Sequence, residues 1–143
     1  MPSQWKDCRR PPGVSPDFLL VCGTRTFDDY ELLEWKLDLV TYFWDDVAVC
    51  HGHSFHRTPR GHTGADWHAE KWAEKNWYDR HHYIADWEKY GKAAGPRRNG
   101  EMCRFVAAQG GTLVAFWDGK SKGTADCVRQ FRALSPRVHV VRY

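Results

Sequence analysis

The sequence has no apolar run approaching the roughly 20 residues a helix needs to cross a bilayer, so no membrane association is expected. It also lacks any Cys-x-x-Cys pair. Its five cysteines, at 8, 22, 50, 103 and 127, are scattered and odd in number. With no secretory leader pattern at the start, they are expected to be reduced thiols in a cytoplasmic protein. Cys22 and Cys50 end apolar runs, where cysteine usually serves as a small buried apolar residue. The Gly-x-Gly-x-x-Gly fingerprint is missing after the first apolar run, and so is the Walker A pattern. Neither an ordinary nicotinamide enzyme nor a P-loop ATPase is therefore indicated, and no cofactor is expected. One sign of charge hardly prevails: 21 basic against 18 acidic residues leave a net +3. Arg9, Arg10, Arg97 and Arg98 make local basic spots, and no long basic stripe marks a nucleic-acid binder.

What is present fits one domain. The 143 residues are 42% hydrophobic, enough for a core, and include eight tryptophans suited to packing, ligand stacking or a partner surface. Residues 1–17, with four prolines, read as an irregular arm, and 18–143 as a single domain. "FLLVC" at 18–22 is continuously apolar, like a strand buried on both faces. Leu33, Leu37, Val40 and Trp44 then share a helical face behind Asp28 or Asp29 as N-cap. "VAVCH" at 47–51 reads as a second strand, 53–63 as a polar loop and 64–76 as a helix. A weak third strand fits 80–85. The stretch 88–99 reads as loop, 99–108 as a short helix, 112–116 as a fourth strand, 124–134 as the last helix and 137–141 as a final strand. Such alternation predicts an α/β three-layer sandwich with a mostly parallel sheet of about five strands and helices on both faces.

Ligands of such sheets sit at the carboxyl ends of the strands. Four turns there carry glycine and small polar residues: Gly23-Thr24-Arg25, Gly52, Gly64-Ala65-Asp66, and the run "DGKSKGT" containing Gly119, Lys120, Ser121, Gly123 and Thr124. Glycine lets backbone approach a ligand, and helix N-termini offer free N–H groups to an anion. A phosphate is the expected guest.

"FLLVCGTRTFDDYELLEWKL", "HGH…GADWHAEKWAEKN", "ADWEKYGKAAGPRRNGEM" and "TLVAFWDGKSKGTADCVRQF" together resemble the YspA-like branch of the SLOG superfamily. The likeness covers about residues 18–141 and is most specific at 85–102. It implies a Rossmann-like fold and a nucleotide or nucleotide-sugar pocket. The superfamily also includes phosphoribohydrolases, in which an arginine and a glutamate act in catalysis. The chain keeps the arginine as Arg98, but Cys127 stands at the glutamate position, with Asp126 one residue earlier and about 100° around the helix. If the protein is an enzyme, Arg98 and Asp126 are the catalytic candidates.

Each candidate also has a structural reading. Arg25 contacts phosphate or base, or pairs with Asp28, Asp29 or Asp66. Asp66 holds ribose hydroxyls or caps a helix. Arg98 and Asn99 open a helix after a glycine-rich loop, where a guanidinium can fork onto phosphate. Trp87 stacks on a base or packs in the core. His51, His53, His56, His62 and His68 crowd one region, yet no cysteine or carboxylate completes a familiar metal spacing, so no metal is expected. His81 and His82 read as strand-edge surface.

The sequence thus points first to a module that senses or sequesters a nucleotide signal, such as an ADP-ribose derivative or cyclic nucleotide. A phosphoribohydrolase cleaving the N-glycosidic bond is the alternative. Nucleic-acid binding, by analogy with the processing protein DprA, is the weakest reading. Homo-oligomers are expected, with Trp35 or Trp77 as interface candidates.

Overall fold

The computed structural model describes residues 15–143. Most of the expected N-terminal arm, together with Cys8, Arg9 and Arg10, lies outside these residues.

Five parallel strands form the sheet: β1 (Asp17–Gly23), β2 (Val47–His51), β5 (Asp79–His82), β6 (Thr112–Trp117) and β7 (Val138–Arg142). Their order is β5-β2-β1-β6-β7, so β1 is central. Leu19 of β1 pairs with Val49 on one side and Thr112 on the other. The chain moves outward from β1 through β2 to β5, then returns to β6 on the opposite side of β1. That reversal opens a crevice at the carboxyl ends of β1 and β6, where Rossmann-like sheets bind ligands.

The pleat sorts β1 into two cores. Phe18, Leu20 and Cys22 pack with Met102, Cys103, Val106 and Phe131. Leu19 and Val21 face the other way, onto Phe27, Leu33, Leu37, Ala69 and Trp72. Two-sided burial explains why β1 and β2 read as unbroken apolar runs. Helices α1 (Tyr30–Val40) and α2 (Ala65–Lys75) cover one face, and α4 (Ala94–Ala108) and α5 (Lys122–Arg132) the other. Among the described residues, no helix is long and apolar enough to cross a membrane.

The Asp29 side chain caps α1 by accepting the Leu32 amide at 3.0 Å. The helix ends at Val40, so Trp44 is not on its face as expected; the Thr41 hydroxyl instead turns back to the Leu37 carbonyl at 2.7 Å. The expected polar loop holds a small antiparallel hairpin, β3 (His56–Thr58) and β4 (Gly61–Thr63). Its three-residue strands have no apolar alternation to announce them. The expected loop at 88–99 contains a short helix α3 (Trp87–Tyr90), a 3-10 turn and the start of α4. Pro96 is the third residue of α4, where its missing N–H would have had no helical partner, so it does not break the helix. α5 likewise begins at Lys122 rather than Thr124, because Ser121 is its cap. Trp35 is 60% exposed on α1, whereas Trp77 is half-buried.

Candidate ligand-binding cavity

A cavity of ≈ 590 Å³ opens at the carboxyl ends of β1 and β2. It lies within the range of about 300–1,000 Å³ common for small-molecule sites. Gly23, Arg25, Gly52, Asp66, Trp87, Arg98, Asn99, Ser121, Gly123, Thr124 and Asp126 all line it. Thr24, Gly64, Ala65, Gly119 and Lys120, expected to join them, do not.

Close packing and internal hydrogen bonds account for three of the absentees, Ala65, Gly64 and Thr24. A Cβ on Gly23 would lie 2.5 Å from both Ala65 Cβ and the Phe116 carbonyl, so Gly23 is where α2 closes onto the sheet. Ala65 is that contact's other half. The N-terminus of α2 is itself largely satisfied: Gly64 donates to the Phe27 carbonyl and Ala65 to that of Thr24. The buried Thr24 hydroxyl accepts the Asp118 amide at 3.2 Å.

The lysine-rich turn after β6 is also turned on itself. Asp118 Oδ1 accepts the amides of Lys120 at 2.8 Å and Ser121 at 2.9 Å. Gly119 has φ +83 and lies under the Arg142 guanidinium. The anion donors that the sequence suggested at Lys120 and Ser121 are therefore engaged. The Ser121 hydroxyl caps α5 at the Thr124 amide. Among the described residues, the Lys122 and Gly123 amides make no hydrogen bond, and a Cβ on Gly123 would meet nothing within 4 Å.

Arg98 is pinned along one edge. Its Nη1 donates to the Gly52 carbonyl at 2.6 Å and its Nε to Asn99 Oδ1 at 3.0 Å. A Cβ at position 52 would stand 2.7 Å from Nη1, so glycine is what lets the guanidinium lie there. Nη2 has no protein partner among the described residues, and Arg98 makes no ion pair with them. Asn99 Nδ2 donates to the Gly123 carbonyl at 3.2 Å and to Asp126 Oδ2 at 3.0 Å, tying α4 to the start of α5. Asp126 also accepts from Gln130 at 2.8 Å and from Arg129. Its carboxylate is consumed by these three side chains.

Asp66 is buried on the cavity wall and accepts the Ser54 amide at 2.9 Å. Burial pushes its pKa up, against the pull of His51, the Ser54 amide and Arg98. Arg25 forms none of the expected ion pairs with Asp28, Asp29 or Asp66; Asp28 pairs with His68 instead, at 3.0 Å. Cys22 and Cys127 line the cavity floor. The Cys127 thiol is held well above its ordinary value: contact with Cys103 pulls it down, but its Cys22 neighbour and burial outweigh this. It is a neutral thiol at pH 7, not a carboxylate substitute.

The mouth is apolar. Trp87 is 58% exposed and lies across Gly95, and Ile84 is 70% exposed. Phe55, His53 and Ser54 also line the cavity. None of Ile84, Phe55, His53 and Ser54 was singled out for the cavity from sequence. A glycine followed by a polar loop gives no sign of which side chains turn inward.

The histidines do find a carboxylate, contrary to expectation. His51 Nε2 lies 2.9 Å and His82 Nε2 2.8 Å from Glu70 Oε1, a donor set of a type that can hold a cation. The proton positions oppose that use. His51 Nδ1 accepts the His53 amide at 3.0 Å, so Nε2 carries the ring proton and donates it to Glu70. A metal at Nε2 would need that nitrogen bare, so the ring proton would have to move to Nδ1, against the His53 N–H, or be lost altogether.

With this geometry in place, comparison with known proteins gives a family. Residues 18–90 match the family YAcAr, described as YspA, cpYpsA-related SLOG family. The chain belongs to that family. The matched segment ends before Arg98, so the motifs at 98–124 lie outside it. The chain is also similar to the Gene 61 protein of Mycobacterium phage D29, 33% identical over 127 residues that cover 78% of this chain and 86% of that protein. No solved structure matches. SLOG membership supports a nucleotide-related function in general terms.

Proposed function

We propose that the chain binds a nucleotide or nucleotide sugar in this cavity and holds it without cleaving it, as a cytoplasmic sensor or sequestering module for a nucleotide signal. One observation carries the reading: Arg98 is fixed by two hydrogen bonds while its Nη2 has no partner among the described residues, in the same cavity as the Lys122 and Gly123 amides, which have none among them either. A pinned guanidinium and a helix N-terminus are a matched pair for a phosphate. Asp66 and Trp87 line the same cavity; in this reading Asp66 accepts from ribose hydroxyls and Trp87 covers a base. The pyrophosphate of an ADP-ribose-type ligand suits two donor groups better than a single phosphate does. Titration calorimetry with ADP-ribose and AMP tests this: saturable binding of ADP-ribose is expected, and absence of binding by either refutes the reading.

Hydrolysis is the second reading, and Asp66 is the observation that keeps it in view, as a cavity carboxyl with a raised pKa. Against it, the position of the phosphoribohydrolase glutamate holds a neutral buried thiol, and Asp126 is held by three side-chain donors. Incubation with AMP should release no free base. Release that disappears in Arg98→Ala would establish the enzyme instead.

The protein is further proposed to self-associate. Trp35, Leu39, Tyr42 and Phe43 form an apolar exposed stripe along and just beyond α1. Sedimentation of wild type against Trp35→Lys would show whether this stripe is used.

A further inference from the structure

Three consecutive residues of the cavity wall are each held through the backbone by a side chain from elsewhere. The Gly52 carbonyl accepts from Arg98 at 2.6 Å, the His53 amide donates to His51 Nδ1 at 3.0 Å, and the Ser54 amide donates to Asp66 at 2.9 Å. Arg98 and Asp66 are themselves cavity residues. His51 is not; it is fully buried behind the wall. His53 sits at φ +55, a left-handed conformation that a non-glycine residue keeps only when its surroundings hold it there.

The hold on His53 depends on which nitrogen of His51 bears the proton. Nδ1 can accept the amide only if it is bare, and Nε2 must then carry the proton. Glu70 Oε1, 2.9 Å away, is the acceptor that favours this form. His82 Nε2 approaches the same oxygen at 2.8 Å, and Arg80 Nη1 donates to Oε2 at 2.7 Å. Both carboxylate oxygens thus face donors. Glu70 lies one helical turn beyond Asp66 on α2, so one face of that helix supplies the cavity carboxyl and the group that orients His51.

We infer that Glu70 and His51 are positioning residues for the cavity: Glu70 fixes His51 in its Nε2–H form, and the bare Nδ1 holds the His53 amide, setting the wall at 52–54 against Arg98 and Asp66. Its consequence for ligand affinity rests on the nucleotide-binding reading above; its consequence for the wall does not.

The groups facing His51 are Glu70 and Asp66 of α2, His82 of β5 and His53 of the wall. Burial, with His82, pushes the His51 pKa below the ordinary range, against Asp66 and Glu70. In acid the incoming proton goes to Nδ1, which then faces the His53 N–H as donor against donor, and the wall is released.

The test uses the full chain and two kinds of readout. Histidine nitrogen NMR should show His51 in the Nε2–H form with Nδ1 accepting a hydrogen bond, and Glu70→Gln should alter both signals and shift the His53 amide. The opposite tautomer, or an unmoved His53 amide, overturns the inference whether or not any ligand binds. ADP-ribose affinity gives the second readout. Asn at position 51 can place an acceptor near the site of Nδ1, whereas Gln leaves the amide without one. His51→Gln should therefore weaken binding roughly tenfold, the weight of a buried donor left unsatisfied, while His51→Asn stays within about threefold. As pH falls below about 6.5, the ordinary histidine value beneath which burial holds His51, wild-type affinity should fall relative to His51→Asn, since the pyrophosphate of ADP-ribose does not titrate there. Equal losses in the two variants, or parallel pH profiles, overturn the positioning role. If wild type binds no ADP-ribose while the NMR signals are as expected, the ligand reading fails and the positioning of the wall stands.

Discussion

Two turns at the carboxyl edge of the sheet look alike in sequence and differ in use. The turn at 118–121 has glycine, a lysine and a serine, the composition of a phosphate loop. In the structure Asp118 gathers two of its amides, Arg142 covers Gly119, and Lys120 stays outside the cavity. The turn at 52–54 has one glycine, a histidine and a serine. Its backbone is held by Arg98, His51 and Asp66, and it forms the cavity wall. The difference is saturation. A donor already satisfied within its own turn offers nothing to a ligand, whatever its composition. A turn held from outside can shape a cavity while its neighbours keep donors free.

The strongest way to break this comparison is Arg98→Ala. It removes the free Nη2 and leaves the Gly52 carbonyl without its donor. ADP-ribose affinity should drop about 100-fold, as for loss of a charge-assisted hydrogen bond of about 2–3 kcal/mol. A change under threefold in calorimetry would place the anion elsewhere.

Gly52→Ala comes next. The added Cβ, 2.7 Å from Nη1, must push the guanidinium aside, and roughly a tenfold loss of affinity is expected from overpacking of about 1–2 kcal/mol. Gly123→Ala sharpens the point from the other side. Nothing lies within 4 Å of its would-be Cβ, so the melting temperature should hold. Reduced ADP-ribose affinity with unchanged stability would mark Gly123 as a site of ligand approach; a melting temperature that falls instead would show an undetected packing role.

How the wall is held also predicts a pH response of the fold. Burial alone would raise Glu70, but hydrogen bonds from His51 and His82 hold it at about 2. A depressed carboxyl contributes stability that is full above its unfolded value near 4.5 and is lost as pH falls toward 2. His51, also depressed, is buried neutral and takes up a proton more readily when unfolded, so its share starts to fade below about 6.5. Thermal melts should fall in two stages, from about pH 6.5 and again below about 4.5. In Glu70→Gln the lower stage should shrink, and a profile identical to wild type would remove Glu70 from the account.

The fold was legible because its signals are local and strong. Continuous apolar strands at 18–22 and 47–51, and the Leu33–Leu37 spacing, follow directly from burial on two faces and one. Gly23, Arg98 and Asn99 line the cavity as their glycine-bearing surroundings suggested, although Arg98 and Asn99 lie inside α4 rather than at the helix start expected of them. The hairpin at 56–63 was not, since its strands bury nothing continuous, nor was the start of α4, where Pro96 looked like a breaker. Least legible was Glu70. It reads as one of several charges on an amphipathic helix, and only the pairing of β2 with β5, His51 opposite His82, brings its partners together.

The smallest predicted effect tests the comparison where composition is most misleading. Lys120→Ala removes the most phosphate-like residue of the conspicuous turn. Its backbone amide is retained by any residue and stays bonded to Asp118, so the turn should keep its shape. Its side chain is exposed and outside the cavity, and a solvent-screened charge at that distance contributes well under about 1 kcal/mol. ADP-ribose affinity at physiological salt should therefore stay within about twofold, with a slightly shallower salt dependence. A loss approaching that of Arg98→Ala would mean that the turn opens to grip the ligand, and saturation in the free protein would then be no guide to where the anion sits.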